Sequence, residues 1–216
     1  MAELETAPVT DTRLKGLITA ERRELAALLG DLPDQSWNAP TLCAGWRVRE
    51  VVAHMEMLYT YSPARFLAEL LRSGGRFHRM ADRRARQDGS VTPHELVSVL
   101  AEHALPTRKP VGVGYEGALC HDVIHGLDIT VGLGLDRRVP EDRLRVVLDA
   151  STKPKALRAF RAPLDGVELR AHDLDWSFGT GTLVTGAAQD LLLVICGRKL
   201  PAERLHGGAS LRFAAS

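Results

Sequence analysis

Two histidines four residues apart, His121 and His125, stand in the segment CHDVIHGLDI. On an α-helix that spacing leaves them about 40° apart around the axis and one turn apart along it, so two imidazoles can reach a single ion. Asp128 and Gly132 continue the same face, the first offering a carboxylate and the second leaving space. Cys120, Ile124, Leu127 and Val131 form the neighbouring apolar stripe, which sets the histidines at the border of the core and directs them inward. A pair of satisfied, partly buried histidines leaves the same pattern, and the spacing alone does not choose. A third inward imidazole favours the ion. In VREVVAHMEMLYTY, Val51, His54, Met57, Leu58 and Tyr61 share one stripe of a 3.6-residue period, which turns His54 into the protein. Three nitrogens leave a fourth position open, as in catalytic zinc sites, for water or a thiol.

Around this trio the residues are open to two readings. Asp128, one turn from His125, either accepts a ring N–H and fixes the tautomer or makes a salt bridge on the helix surface or between helices. Arg72, Arg76, Arg79, Arg83, Arg84 and Arg86 crowd a Gly- and Arg-rich stretch that reads as a loop or frayed helix. Solvation is its first reading; its second is anion contacts to a carboxylate substrate or to the thiol, with Arg83 and Arg84 as the cofactor-binding candidates. Cys43 reads as a small buried residue of an ordered loop. Cys120 is rotated about 100° from His121, so it misses the ion and packs in the core. Trp46 and Trp176 read as packing residues. His78, His94, His103, His172 and His206 share no ligand spacing and read as surface or turn residues.

Positioning these groups falls to a chain of 216 residues, 45% apolar, enough for one or two domains with a sizeable core. Lys plus Arg is 28 against 27 for Asp plus Glu, so the net charge of +1 provides no field for a polyanion, and no nucleic-acid partner is expected. Three scattered cysteines make no disulfide framework. No apolar leader and no long apolar run is visible, which predicts no membrane partner and a cytoplasmic protein. Apolar residues at helical spacing over 14–29 end at Gly30, and 31–45 reads as an ordered loop. A helix follows through Tyr61, and ARFLAELLR continues as another after Pro63. Thr92, Pro93 and Glu95 form a capping box that starts a helix through about Ala104. Further helices run over about 118–133 and from Pro140. Beyond about 152 the period changes. Val167, Leu169 and Ala171 alternate with polar neighbours, as do Leu174, Trp176 and Phe178, which predicts a hairpin turning at His172 and Asp173. A short helix over 187–196 follows, and 210–214 is a candidate third strand. The expectation is a mainly α chain, with a helical bundle over 1–152 and a small α+β domain over 153–216.

The segment TLCAGWRVREVVAHM (41–55) resembles the motif that opens the second helix in the DinB-like, mycothiol-dependent maleylpyruvate isomerase family. LCHDVIHGLDI (119–129) is similar to that family's second metal motif, and 166–199 resembles its small C-terminal α+β domain. The resemblance covers nearly the whole chain and specifies no substrate. It implies a DinB-like four-helix bundle holding a divalent metal, generally zinc, through His54, His121 and His125, with actinobacterial mycothiol as the thiol. In the isomerase proper the position matching His121 is typically glutamate. Histidine there makes the site one charge more positive and weakens the expectation of the isomerase reaction itself.

A zinc ion held by three neutral imidazoles keeps its full charge and favours thiolate over thiol. Such a thiolate attacks an electrophilic carbon, giving a thioether or a reversible adduct that permits double-bond isomerisation. The expected function is therefore a metal-dependent S-transferase or cis-trans isomerase acting on a small electrophile, with a low-molecular-weight thiol as co-substrate, in a monomer or homodimer. The competing readings are a non-catalytic metal-binding protein with a stress-response or regulatory role, and an enzyme using iron, nickel or copper at the same nitrogens.

Overall fold

The computed structural model describes residues 10–110 and 112–215. Helix α1 (Asp11–Gly30) begins where the Thr10 hydroxyl accepts the Arg13 N–H. Helix α2 (Val48–Thr60) begins where the Glu50 carboxylate accepts the Arg47 N–H. Helix α3 (Pro63–Arg72) carries proline in its first turn behind the Ser62 cap. Helix α4 (Phe77–Asp88) follows, then α5 (Pro93–Glu102), started by the expected box between Thr92 and Glu95. Helix α6 (Gly114–Gly132) carries His121 and His125 and starts a turn earlier than its periodicity suggests. Helices α1 and α2 each pack on both α5 and α6, and these four make the bundle.

Within the arginine-rich stretch, α4 replaces the expected loop or frayed helix. Its buried residues are Met80, Ala81, Arg84 and Ala85, a narrow stripe laid against α2. Two alanines and one methionine give a weak periodic signal among so many arginines, which is why the helix is hard to read from composition.

Helices α7 (Glu141–Ser151) and α8 (Pro154–Phe160) lead to a four-stranded sheet. Strands β1 (Val167–Ala171) and β2 (Ser177–Gly179) form the expected antiparallel hairpin. The third strand differs from expectation. It is β3 (Thr182–Gly186), parallel to β1 with Leu169 opposite Val184, and β4 (Leu205–His206) flanks it in the order β2-β1-β3-β4. Segment 210–214 forms no strand: Ser210–Phe213 is a short 3-10 turn that buries Phe213 and leaves Leu211 exposed. The glycines around TLVTG make β3 look like loop, yet they permit its close entry. A side chain at Gly181, where φ is +133°, would meet the Gly166 carbonyl at 2.2 Å. Helix α9 (Ala188–Ile195) covers the sheet and packs on α6 and α7.

One continuous core joins bundle and sheet through Ile18, Leu119, Leu127, Val147, Leu169 and Leu192. A second fills the space between α1, α2 and α5 with Leu25, Leu29, Val52, Met55 and Leu100. Each such side chain contributes about 1.5–3 kcal/mol by leaving water. Charges are buried here too. Arg22 is fully buried, donates to Glu56 and, at 3.2 Å, to Asp122, and stacks over the Tyr59 ring. Tyr59 in turn donates to Asp122 at 2.6 Å. This cluster ties α1, α2 and α6 together, because removing one member strands the others uncompensated at a cost of about 3–5 kcal/mol. It fixes the two helix segments that carry His54 and His121. Among the described residues no helix is long and apolar enough to cross a membrane.

Candidate metal centre

His54 from α2 and the two histidines of α6 meet where those helices pack. The Nε2 atoms of His54 and His121 lie 3.2 Å apart, and one nitrogen of each of the three imidazoles falls within 4.8 Å of the others. Ring centroids are 4.6 to 5.1 Å apart, with the His125 ring edge-on to both partners. His54 is buried, and the other two are half-buried.

Burial, with the other two imidazoles beside it, holds His54 well below the ordinary histidine pKa. Burial and His121 lower His125 as well, against the pull of Asp128. Both rings are thus neutral bases, the form that ligates a metal. The three imidazoles face one another, and two of them leave a ring nitrogen without a partner. The Nδ1 atoms of His54 and His121 have no hydrogen-bond partner, and Asp122 stands 3.9 Å from the second. Zinc–nitrogen bonds of ~2.0–2.1 Å at a tetrahedral angle set two nitrogens about 3.3 Å apart. The observed 3.2 Å fits that edge.

Asp128 is fully buried: it meets the His125 ring, and its salt bridge is neither on the helix surface nor between helices but to Arg198 in the turn after α9. Its Oδ2 lies 3.0 Å from His125 Nδ1, which leaves the opposite ring nitrogen free to ligate. It also receives a two-pronged bond from Arg198, 2.7 Å from Nε to Oδ1 and 2.8 Å from Nη2 to Oδ2. Burial opposes its charge, but Arg198 and His125 outweigh burial and hold the carboxyl well below the usual carboxylate range.

Cys43 stands closer to this network than a packing residue would. Its thiol donates to Asp128 at 3.0 Å and lies 3.6 Å from His125 Nδ1. Burial and the Asp128 charge push that thiol up, only partly offset by Arg198, so it is a protonated donor. Cys43, His125 and Asp128 also cluster closely enough to suggest a second ion. With the Arg198 guanidinium seated on the carboxylate, that corner already holds its cation. Gly132 admits the loop: a side chain there would meet Thr41 Cα at 2.9 Å, where Leu42 N–H donates to the Asp128 carbonyl at 3.0 Å. Gly45, at φ +79°, completes the turn from Cys43 to Trp46. The Trp46 ring, 4.9 Å from that of His54, is held by its N–H to Asp82 at 2.9 Å and walls the centre. Cys120 packs against the core as expected, its thiol pushed up to about 12 by burial.

Arg83 and Arg84 are not brought to the histidines. Arg83 donates to Glu69 at 2.5 Å, and Arg84 donates to Asp88 and to the Tyr61 hydroxyl. The arginine on the cavity side of the centre is Arg108, in the loop after α5. It lines a cavity of about 360 Å³ that opens beside His54 and His121 and is otherwise walled by Met57, Leu58, Phe66, Phe77 and Val113 among others. Neither Arg108 nor Arg198 carries a sequence signal, because a single loop cation has no period and no spacing to a partner.

Residues 18–111 match the family model described as the mycothiol maleylpyruvate isomerase N-terminal domain, a segment that includes His54 and stops short of His121 and His125. A search of curated proteins finds no significant match. Among solved structures, the crystal structure of the mycothiol-dependent maleylpyruvate isomerase is similar over 97% of this chain and 97% of that chain, with a TM-score of 0.62 and 14% identity. A histidine-to-alanine mutant of that enzyme is similar over the same shares, with a TM-score of 0.61 and 14% identity. At such identity the likeness is one of fold. Residues 18–111 thus match the family's N-terminal domain, and the end-to-end fold is similar to that of the mycothiol-dependent maleylpyruvate isomerase.

Proposed function

We propose that the chain is a thiol-dependent isomerase or S-transferase whose centre is a divalent cation, zinc in the simplest case, held by His54, His121 and His125, with mycothiol as the thiol. The observation that carries this reading is the convergence of three inward imidazole nitrogens, two of them 3.2 Å apart, at the edge of a cavity. When bound, the cation would supply Lewis acidity and lower the pKa of a thiol in its open position. The chain's own residues do the rest. His54 and His125 are kept as neutral donors by burial. Asp128 accepts the His125 N–H and sets that ring's tautomer and direction, while Arg198 holds Asp128 in place. Trp46 covers the His54 ring on one side. None of the three cysteines supplies a thiolate, since burial raises each thiol, so the reacting sulfur comes from a diffusible thiol. In this reading the part up to residue 152 holds the ion, and the part from 153 supports it through Arg198.

The test is metal analysis of untagged protein, paired with thiol-dependent consumption of a generic electrophile such as a chlorinated arene. The expectation is about one divalent ion per chain, lost in His54→Ala, His121→Ala and His125→Ala, and a rate with mycothiol above that of the free thiol. Iron, nickel or copper in place of zinc would change the metal and keep the site. Metal content unchanged in all three variants would remove the site. Metal without turnover would leave a binding protein.

A further inference from the structure

We infer that the electrophile served by this centre is a predominantly apolar molecule with one anionic end, its body in the cavity beside His54 and His121 and its anion on Arg108. This assignment rests on the thiol-dependent reading of the centre and adds the chemistry of the substrate. A volume of about 360 Å³ lies within the range of small-molecule sites, about 300–1,000 Å³. Met57 and Leu58 come from α2, and Phe66, Phe77 and Val113 close the sides. The last three are apolar yet 37%, 45% and 49% exposed, with the two phenyl rings 6.3 Å apart, so the mouth is apolar as well as the interior. An occupant with a hydrocarbon body removes that surface from water. A compact dicarboxylate would instead strip water from two charges with one side-chain cation, Arg108, on the cavity wall.

Arg108 is that cation. Its Nη2 donates to the carbonyls of Tyr59 and Tyr61 at 3.1 and 2.6 Å, which fixes the guanidinium. Among the described residues no carboxylate pairs with it. In the arginine-rich stretch Arg72, Arg83, Arg84 and Arg86 pair with Glu69, Asp82 or Asp88, and Arg76 and Arg79, which also lack a carboxylate partner among the described residues, do not line the cavity. A fixed cation without an internal anion, on the wall of an otherwise apolar cavity, matches a ligand carboxylate.

The experiment uses β-alkyl enones of increasing chain length, ending in methyl, carboxylate or ammonium, together with their saturated ketones. In the reaction the thiolate sulfur bonds to the β-carbon, the double-bond pair moves onto the carbonyl, and the α-carbon takes the proton released by the thiol. Calorimetric binding of the saturated ketones needs no turnover. Affinity should rise about fourfold per added methylene until the cavity is full, and a terminal carboxylate should gain up to about fivefold over methyl. Arg108→Gln should abolish the carboxylate preference, Arg108→Lys should retain it, and Arg108→Glu should turn it toward ammonium, with thermal melts reporting on folding. Affinity independent of chain length, or a carboxylate preference that survives in Arg108→Gln, overturns the inference. Saturated ketones that bind in the expected pattern without thiol addition would leave the cavity assignment standing and refute the thiol chemistry. Accelerated addition indifferent to chain length and to Arg108 would do the reverse.

Discussion

Asp128→Asn removes one charge from the most heavily used side chain beside the centre. The wild-type carboxylate receives two bonds from Arg198, at 2.7 and 2.8 Å, one from the Cys43 thiol at 3.0 Å, and contacts His125 Nδ1 at 3.0 Å. An asparagine keeps one acceptor and turns an NH2 group toward a guanidinium that has only donors. Breaking a buried pair costs about 3–5 kcal/mol, and Arg198, with 23% of its side chain exposed, sets the lower end, about 3 kcal/mol. For a chain of this size that lowers Tm by about 6–12 °C. His125 also loses its anionic acceptor, and such supporting partners typically account for about 10–100-fold in metal affinity. Differential scanning calorimetry of the metal-stripped protein reads the first effect, and competition with a chromophoric chelator reads the second. The double variant Asp128→Asn/Arg198→Met separates them. Removing the stranded guanidinium should restore most of the stability and none of the affinity. If affinity returns together with stability, Asp128 acts through the fold and not through His125. A single variant with Tm within about 2 °C of wild type would refute the pairing argument itself.

Two further outcomes follow from the same geometry. In metal-stripped protein the His54 and His125 pKa values lie below the unfolded value of about 6.5. The unfolded chain therefore binds more protons in acid, so their contribution is full above about pH 6.5 and is lost as pH falls from there toward the depressed folded values. Tm of the stripped protein should fall between pH 7 and 5, and less steeply in His54→Ala; identical slopes would contradict the assignment of the titrating groups. Gly132→Ala places a methyl 2.9 Å from Thr41 Cα, and displacing that loop should cost about 1–3 kcal/mol less the helix propensity gained, and release Cys43 to faster labelling by a disulfide reagent. Labelling at the wild-type rate would show that the loop tolerates the methyl.

What was legible in the sequence was local. His121 and His125 share one helix, so their spacing is a property of ten residues, and His54 is legible because its own helix has a clean apolar stripe. Except for α4, the order of helices through α7 and the β1–β2 hairpin follow from periods and caps of the same range. Arg198 and Cys43 reach Asp128 across 70 and 85 residues, from a turn after α9 and from a loop, and nothing in their surroundings announces a partner. Arg84 shows the opposite error. Its charge suggests a ligand contact, yet Asp88 and the Tyr61 hydroxyl satisfy it internally. Composition shows that a cation exists; only tertiary pairing shows whether it is available.

That distinction divides the surroundings of the three histidines. On the His125 side every charge has a partner, with Arg198, Asp128 and Cys43 closed on one another beneath the Gly132 contact. On the side of His54 and His121 the wall is apolar, and its one cation is held by backbone carbonyls alone. A closed polar network resists change because each deletion strands a buried group, whereas an apolar cavity near the surface yields a methylene at a time. On the proposed reading, single substitutions at Asp128 therefore lower both stability and metal affinity, while Phe66, Phe77 and Arg108 alter which electrophile is accepted and leave the metal bound. Related chains with the same histidines can then differ in substrate at Phe66, Phe77, Arg108 and Val113 without rebuilding the bundle that positions the ion.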